Sequence, residues 1–284
     1  MKISDSTSAF VKKARTNFYY AFLFLPKPKR DAIFAAYAFS RFTDDLVDEA
    51  SSPEAARENL QTWRIQLEAC YQGRAEHPIT IDLQNTLLQF PIPKSHFLNL
   101  IDGVEMDLHK RRYDTFEDLY QYCYRVASTI GLICIEIFGY QNSKTRDYAV
   151  NLGVALQLTN IMRDLKADAQ QDRIYIPSED LERFGYSERD LLSHTYNPAF
   201  VKLMHFQAKR AKDFYARSKS FLTEEDRPDL FSAEIMAHIY STLLRRIESV
   251  HYNVFENAAG VNNLRKFSIA LRTWISTRAR RSPA

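Results

Sequence analysis

Two sets of acidic residues carry the strongest chemical signal in this chain. Asp44 and Asp48 stand four apart in "RFTDDLVDEA" (41–50), and Asn160, Asp164 and Asp168 follow at intervals of four in "QLTNIMRDLKAD" (157–168). On a helix a step of four offsets side chains by only about 40°, so each set stacks along one face. Like charges stacked in this way repel unless a cation intervenes. Both sets also have apolar surroundings: Ile33, Phe34, Phe39 and Phe42 before the first, Leu152, Leu156, Ile161 and Leu165 around the second. A stripe of amide and carboxylate oxygens on an apolar helix costs free energy unless it is hydrated or bound to a ligand. Hard oxygens without His or Cys suit Mg²⁺ rather than zinc, and Mg²⁺ bridges carboxylates to phosphate oxygens. The pattern therefore points to a phosphorylated substrate with an apolar body. Spacing alone leaves a second reading open, because a DxxxD pair is also a common feature of solvated helix faces. Asp45, with Glu49 one turn on, reads as an adjacent and more solvated row.

Helices must position these residues. Only 7 glycines occur in 284 residues, strand-type alternation is never sustained, and apolar residues recur at three- and four-residue spacing. The pattern predicts an all-α chain with helices at 7–24, 29–49, 53–72, 79–90, 95–111, 115–138, 144–168, 197–220, 224–256 and 262–279. Pro26 and Pro28 in "LPKPKRD" separate the first two, with Asp31 in the next first turn. "TFEDL" (115–119) and "TEED" (223–226) read as capped helix starts. Residues 169–196 interrupt the pattern and read as a long loop with short helices, of the kind that forms lids. Length and pattern favour a single domain over 1–284, with a core at about 10–255 and a basic helix at 262–284.

Composition narrows the function. Formal charge is +3, too balanced to argue for nucleic acid. The 19 Phe and 16 Tyr exceed what a helical core needs and hint at an aromatic-lined cavity. Cys70, Cys123 and Cys134 show no metal spacing, and Cys123 and Cys134 read as buried thiols of a reducing compartment. "MKISDSTSAF" has no apolar signal core and no stretch approaches the ~18 apolar residues of a membrane span, so a cytoplasmic protein is expected. The tail "LRKFSIALRTWISTRARRSPA" is basic, with Trp274 and Ile275 among arginines. Two readings of it stand side by side: peripheral contact with anionic lipid at the inner face of the membrane, and a solvated basic end.

Three runs, "NFYYAFLFLPKPKRDAIFAAYAFSRFTDDLVDE", "YCYRVASTIGL" and "LGVALQLTNIMRDLKADAQQDRIYIP", occur in the right order and resemble the squalene/phytoene synthase family. The segment 102–140 is most similar to the presqualene diphosphate synthases of the bacterial hopanoid pathway. The resemblance implies an isoprenoid synthase fold, helices around a central cavity, and head-to-head condensation of two prenyl diphosphates. It implies Asp44 and Asp48 as one Mg²⁺ set and Asn160, Asp164 and Asp168 as the other, with Mn²⁺ a possible substitute. It places Gln157 on the cavity wall, Arg41 and Arg163 near the diphosphates, and Tyr37, Tyr124, Tyr175 and Tyr240 around the reacting carbons, with Tyr124 positioning the proton acceptor. Asn17, Phe18 and Phe22 match substrate-binding positions at the site mouth and prenyl channel. NADPH is not expected if the product is presqualene diphosphate, and later enzymes of squalene synthesis are candidate partners.

The chain departs from the family pattern in three places. Lys166 and Ala167 stand where Gly and Glu are common, so Lys166 is either a solvated flank or an added diphosphate contact. Thr16 and Asn17 replace serines, and Ser40 replaces a cysteine in a packing role. Squalene, dehydrosqualene or phytoene synthesis would use the same site. "DDLVD" also satisfies the DDxxD pattern of head-to-tail synthases and terpene cyclases, but the second motif lacks the doubled Asp. A non-catalytic relative need not keep its acids, and this chain keeps both pairs.

Overall fold

The computed structural model describes residues 17–257 and 259–281, with the side chains of Asn17, Phe18, Arg280 and Arg281 outside the description. The expected helix start near residue 7 and the Thr16 position therefore lie outside the described residues. Helices follow one another as α1 (Asn17–Phe22), α2 (Lys27–Asp48), α3 (Pro53–Tyr71), α4 (Pro78–Leu87), α5 (Lys94–Met106) and α6 (Phe116–Cys123). A π-helical turn (Tyr124–Ser128) leads into α7 (Thr129–Phe138). Then come α8 (Lys144–Gln170), α9 (Ser178–Arg183), α10 (Glu188–Leu192), α11 (Pro198–Phe221), α12 (Phe231–Ser249) and α13 (Asn263–Arg281). The described residues contain no strand, and none of their helices is long and apolar enough to cross a membrane.

Local chemistry sets many of the boundaries. Ser52 accepts a hydrogen bond from the Ala55 N–H, with Pro53 at the first helical position of α3. Thr115 and Asp118 form the expected capping box of α6. Lys27 already begins α2, so Pro28 sits inside its first turn, where the ring removes no helical hydrogen bond, and Asp31 falls beyond that turn. The "TEED" expectation fails. Residues 224–229 are turns, and α12 starts at Phe231. Asp226 is instead buried and accepts from the Gln141 N–H (2.7 Å), the Asn142 N–H (3.0 Å) and the Thr145 hydroxyl (2.6 Å). Against the upward push of burial, these bonds hold its carboxyl below the usual range. The acid ties the 223–230 turns to the entry of α8, and a helix beginning at 224 would forfeit that tie.

The buried core runs continuously from α1 to α13 and centres on α8, whose Leu152, Val154, Ala155, Leu158, Ile161 and Met162 are all buried. The long segment after α8 does contain short helices, α9 and α10. It is no lid at its start, because Ile174, Tyr175 and Ile176 are buried in the core. The α2 helix packs through Phe39, which stacks on Trp63 at 4.9 Å, and the Trp63 indole N–H donates to Thr43 at 2.9 Å. These contacts fix the rotation of α2 and with it the direction of Asp44.

The π turn depends on two glycines. A Cβ on Gly153 would lie 2.5 Å from the Ser128 Cα, and one on Gly103 would lie 2.7 Å from the Arg125 Cβ. The Ser128 hydroxyl donates across the contact to the Val150 carbonyl at 2.8 Å. The helix expected over 115–138 therefore runs on from Phe116 to Phe138 but widens into a π turn where α5 and α8 press on it.

Candidate active site

Two cavities meet between α2 and α8. The larger, of about 490 Å³, is mainly apolar, with walls from Phe22, Ile33 and Tyr37, from Val126 and Ala127 of the π turn, from Ile130, Cys134 and Phe138, from Tyr148, Leu152 and Leu156, and from Met236 and Tyr240. Lys266 of α13 and Arg163 of α8 add charge to that wall. The smaller, of about 180 Å³, is polar: Asp48, Asp107, Asp164, Asp168, Arg173, Tyr122 and Tyr175 line it. Arg41, Asp44, Gln157 and Asn160 line both, so the tunnel opens directly onto the acidic chamber.

This arrangement brings together most of the residues singled out in the sequence. Asp44, Asp48, Asn160, Asp164, Asp168, Gln157, Arg41 and Tyr175 reach the chamber or its boundary, while Phe22, Tyr37, Tyr240 and Arg163 line the tunnel. Asn17 lies on α1, but its side chain and that of Phe18 are outside the described residues. Tyr124 lines neither cavity and is partly buried against the core, while Val126 and Ala127 of the same π turn reach the tunnel wall. Of Asp45 and Glu49, expected to form the more solvated row, Glu49 is exposed but Asp45 is a correction. Arg41 pairs with Asp45 at 2.7 Å, leaving the Asp45 side chain 19 % exposed against 51 % for Asp48. Ser40 of α2, expected only to pack, faces the tunnel, and Cys134 also reaches the tunnel wall. Lys166 is exposed and does not line the chamber, as the solvated-flank reading expects, and its ammonium donates to the Phe255 carbonyl at 2.8 Å.

Three chamber residues had no assigned role in the sequence reading. Asp107, at the end of α5, accepts from the hydroxyls of Tyr175 (2.9 Å) and Tyr122 (3.1 Å). The Tyr122 and Tyr175 rings stack at 5.0 Å, and burial raises both phenols well above their usual value, so both stay protonated donors. Arg173 lies 3.9 Å from Asp48 and links the segment after α8 to α2. The only signal for Arg173 and Tyr175 was their place in "RIY", directly after the second acidic stripe. Tyr122 and Asp107 had none beyond belonging to the 102–140 segment.

The chamber is short of positive charge. Five carboxylates face it, against the guanidinium groups of Arg41 and Arg173. Burial, and then the neighbouring acids Asp48, Asp107 and Asp45, push Asp44 up to about 7 against the pull of Arg41. Burial and Asp164 push Asp168 up to about 7 against Arg173. Arg163 forks onto the Asp164 carboxylate, with Nε to Oδ1 at 2.7 Å. The Asn160 amide donates to Gln157 at 3.2 Å, and its buried Oδ1 has no partner among the described residues. An orphaned buried acceptor and two strained carboxylates fit a hard divalent cation. No three carboxylates among the described residues come close enough to hold one ion unaided.

Comparisons with known proteins agree with this geometry. Residues 11–268 match the family model for squalene/phytoene synthase. A 15-cis-phytoene synthase of Synechococcus elongatus is 37 % identical over 264 residues, 88 % of this chain and 85 % of the relative. Phytoene synthase 1 of Arabidopsis thaliana is 32 % identical, over 88 % of this chain and 61 % of the plant protein. Among solved structures, a dehydrosqualene synthase superposes with a TM-score of 0.85 at 30 % identity over 96 % of both chains. A squalene synthase, HpnC, from Alicyclobacillus acidocaldarius superposes with a TM-score of 0.81 at 27 % identity, over 88 % of this chain and 94 % of that one. With its all-α isoprenoid synthase fold, the chain belongs to the squalene/phytoene synthase family, the head-to-head prenyltransferases of isoprenoid biosynthesis.

Proposed function

We propose that the protein condenses two molecules of farnesyl diphosphate head to head to presqualene diphosphate. The observation that carries this reading is the wall of Arg41, Asp44, Gln157 and Asn160 that joins an apolar tunnel to a chamber of acids. A prenyl diphosphate has the same two halves. The similarity of residues 102–140 to presqualene diphosphate synthases supports the farnesyl chain.

Mg²⁺, or Mn²⁺ in its place, would be held by Asp44 and Asp48 on one side and by Asn160, Asp164 and Asp168 on the other, and would neutralise charge on the departing diphosphate. Arg41, Arg163 and Arg173 bind diphosphate oxygens, for which the planar guanidinium is suited. The donor's C1–O bond breaks, leaving an allylic cation, and the faces of Tyr37 and Tyr240 stabilise it by about 0.5–2 kcal/mol each without becoming nucleophiles. Val126, Ala127, Ile130, Leu152 and Leu156 exclude the water that would trap it. The C2–C3 alkene of the acceptor attacks the cation, and loss of the donor C1 proton closes the cyclopropane. Tyr122 and Tyr175 are committed donors to Asp107, so the released diphosphate takes that proton. No reductant enters this sequence, so NADPH is not required.

The names of the cyanobacterial relatives favour a second reading, geranylgeranyl diphosphate converted to phytoene. Incubation with each diphosphate and Mg²⁺, with and without NADPH, separates the two by mass spectrometry. Presqualene diphosphate from farnesyl diphosphate alone is the expected product. Turnover restricted to geranylgeranyl diphosphate would replace the first reading with the second.

The strained acids also predict a pH dependence. Between 3.8, the ordinary aspartate value, and about 7, Asp44 and Asp168 bind protons in the folded state that the unfolded chain does not. Stability from these two groups therefore falls as pH rises through about 7. In the presence of a chelator, the melting temperature should be higher at pH 6 than at pH 8. Added Mg²⁺ should raise it at pH 8 and do little at pH 6, because the ion must displace protons there. An Mg²⁺ effect equal at both pH values would remove these carboxylates from the cation site.

A further inference from the structure

We propose that Tyr148 is the floor of the apolar tunnel and stops the bound prenyl chain at three isoprene units. The proposal rests on the head-to-head reading above and names the residue that selects its substrate. The α8 helix runs along the whole tunnel. Gln157 and Asn160 stand where tunnel and chamber meet, and Leu156, Leu152 and Tyr148 follow at steps of four toward the start of the helix. A step of four keeps them on one face, so the row descends the wall. Tyr148 stands about three turns from Asn160 and is the α8 lining residue farthest from the chamber. The other walls end in the same direction: Ile33 lies about three turns before Asp44 on α2, Phe138 ends α7, and Met236 lies one turn before Tyr240 on α12. Tyr148, Ile33, Phe138 and Met236 are all buried, so they close this end against solvent.

The hydroxyl of Tyr148 is the second observation. It is buried and has no hydrogen-bond partner among the described residues. Burial, and then Glu234 of α12, raises the phenol well above its usual value, so it stays protonated. Glu234 itself is engaged by Arg227 at 2.8 Å. A buried hydroxyl without a partner costs stability, and phenylalanine would fill the same place without that cost. Folding therefore does not account for a tyrosine here, and groups that break the packing rules in this way gather where a protein meets its ligand.

Size gives the exclusion its step. The phenol ring with its hydroxyl is somewhat larger than one isoprene unit, so removing it opens room for one further unit and not for two. The floor is also firm. A Cβ on Gly153 would lie 2.5 Å from the Ser128 Cα, so α8 is already held against the π turn and the ring stands on backbone with little room to retreat.

Titration of the full chain with unreactive thiolodiphosphate analogues of farnesyl, geranylgeranyl and geranylfarnesyl chains, in Mg²⁺, tests this without turnover. Wild type should bind the farnesyl analogue at least about tenfold more tightly than the geranylgeranyl one. Tyr148→Ala should bring these two close to equal and still reject the geranylfarnesyl analogue. Tyr148→Phe keeps the ring, so it should keep the wild-type ratio and melt at the wild-type temperature or above. If Tyr148→Ala does not fold, Tyr148→Leu should shift the ratio in the same direction by less. A wild-type ratio in the folded alanine or leucine variant overturns the proposal. So does an equal weakening of every chain length, which would make the residue packing only, and so does a wild type that binds the geranylgeranyl analogue as tightly as the farnesyl one. The reaction reading fails separately: tight, length-selective binding of the farnesyl analogue with no presqualene diphosphate made from farnesyl diphosphate overturns that reading and leaves the floor in place.

Discussion

Asp44→Asn and Asp164→Asn are each expected to lower turnover of the prenyl diphosphate by about a thousandfold or more while leaving the fold intact. Several kcal/mol of transition-state stabilisation depends on neutralising the departing diphosphate, and about 1.4 kcal/mol accounts for each factor of ten. An amide keeps the shape of either side chain but removes the charge that holds a hard cation. The two positions differ in their effect on the free protein. Asp44 is pushed up to about 7 by burial and by neighbouring acids, so Asp44→Asn relieves repulsion and should raise the melting temperature at pH 8 in chelator. Asp164 is engaged by Arg163, so Asp164→Asn weakens that fork and should leave the melting temperature unchanged or lower it. Turnover across an Mg²⁺ titration and melting at pH 8 check both claims. Near wild-type turnover in either variant would remove that acid from catalysis. Loss of turnover with loss of the fold would assign it a structural role instead.

The contrast between what was readable in the sequence and what was not has a physical cause. Asp44 with Asp48, and Asn160 with Asp164 and Asp168, were legible because a four-residue step on one helix fixes their common face whatever packs around it. Asp107, Tyr122 and Tyr175 come from three separate elements, and only their packing brings the two hydroxyls onto one carboxylate. No spacing rule encodes such a meeting. Asp45 was misplaced because the Arg41 four residues before it was read as a diphosphate ligand only, whereas it also pairs along the helix. The π turn was not legible either: extra backbone inserted there shifts the helix face, and Val126 and Ala127 reach the tunnel wall while Tyr124 does not. Helical periodicity does not reveal that shift in advance. Its trace in the sequence is two glycines far away, Gly103 and Gly153.

Gly153→Ala is accordingly expected to be among the most damaging single-methyl additions in the molecule. The new Cβ would lie 2.5 Å from the Ser128 Cα, 2.7 Å from its N and 2.9 Å from the Ala127 carbonyl carbon. All three are backbone atoms, so no side chain can swing aside, and α8 must separate from the π turn. Overpacking of this kind costs about 1–3 kcal/mol where neighbours can adjust, and a contact between two backbones lies at or beyond the upper end. For a chain of this size, each kcal/mol lowers the melting temperature by roughly 2–4 °C. The displacement has a second consequence, because Val126, Ala127 and Gly153 all line the tunnel. Even the folded fraction should therefore bind the prenyl chain poorly, with KM rising as well as stability falling. Gly73→Ala is the control for stability alone: its φ of +74° strains an alanine, but no atom lies within 4 Å and the turn is far from the tunnel. If Gly153→Ala melted like wild type and kept its KM, the close approach of α8 to the π turn would not be what shapes the tunnel. A fall in stability with unchanged KM would confine Gly153 to packing. Loss of both ties the placement of the catalytic cavity to a residue that carries no functional group at all.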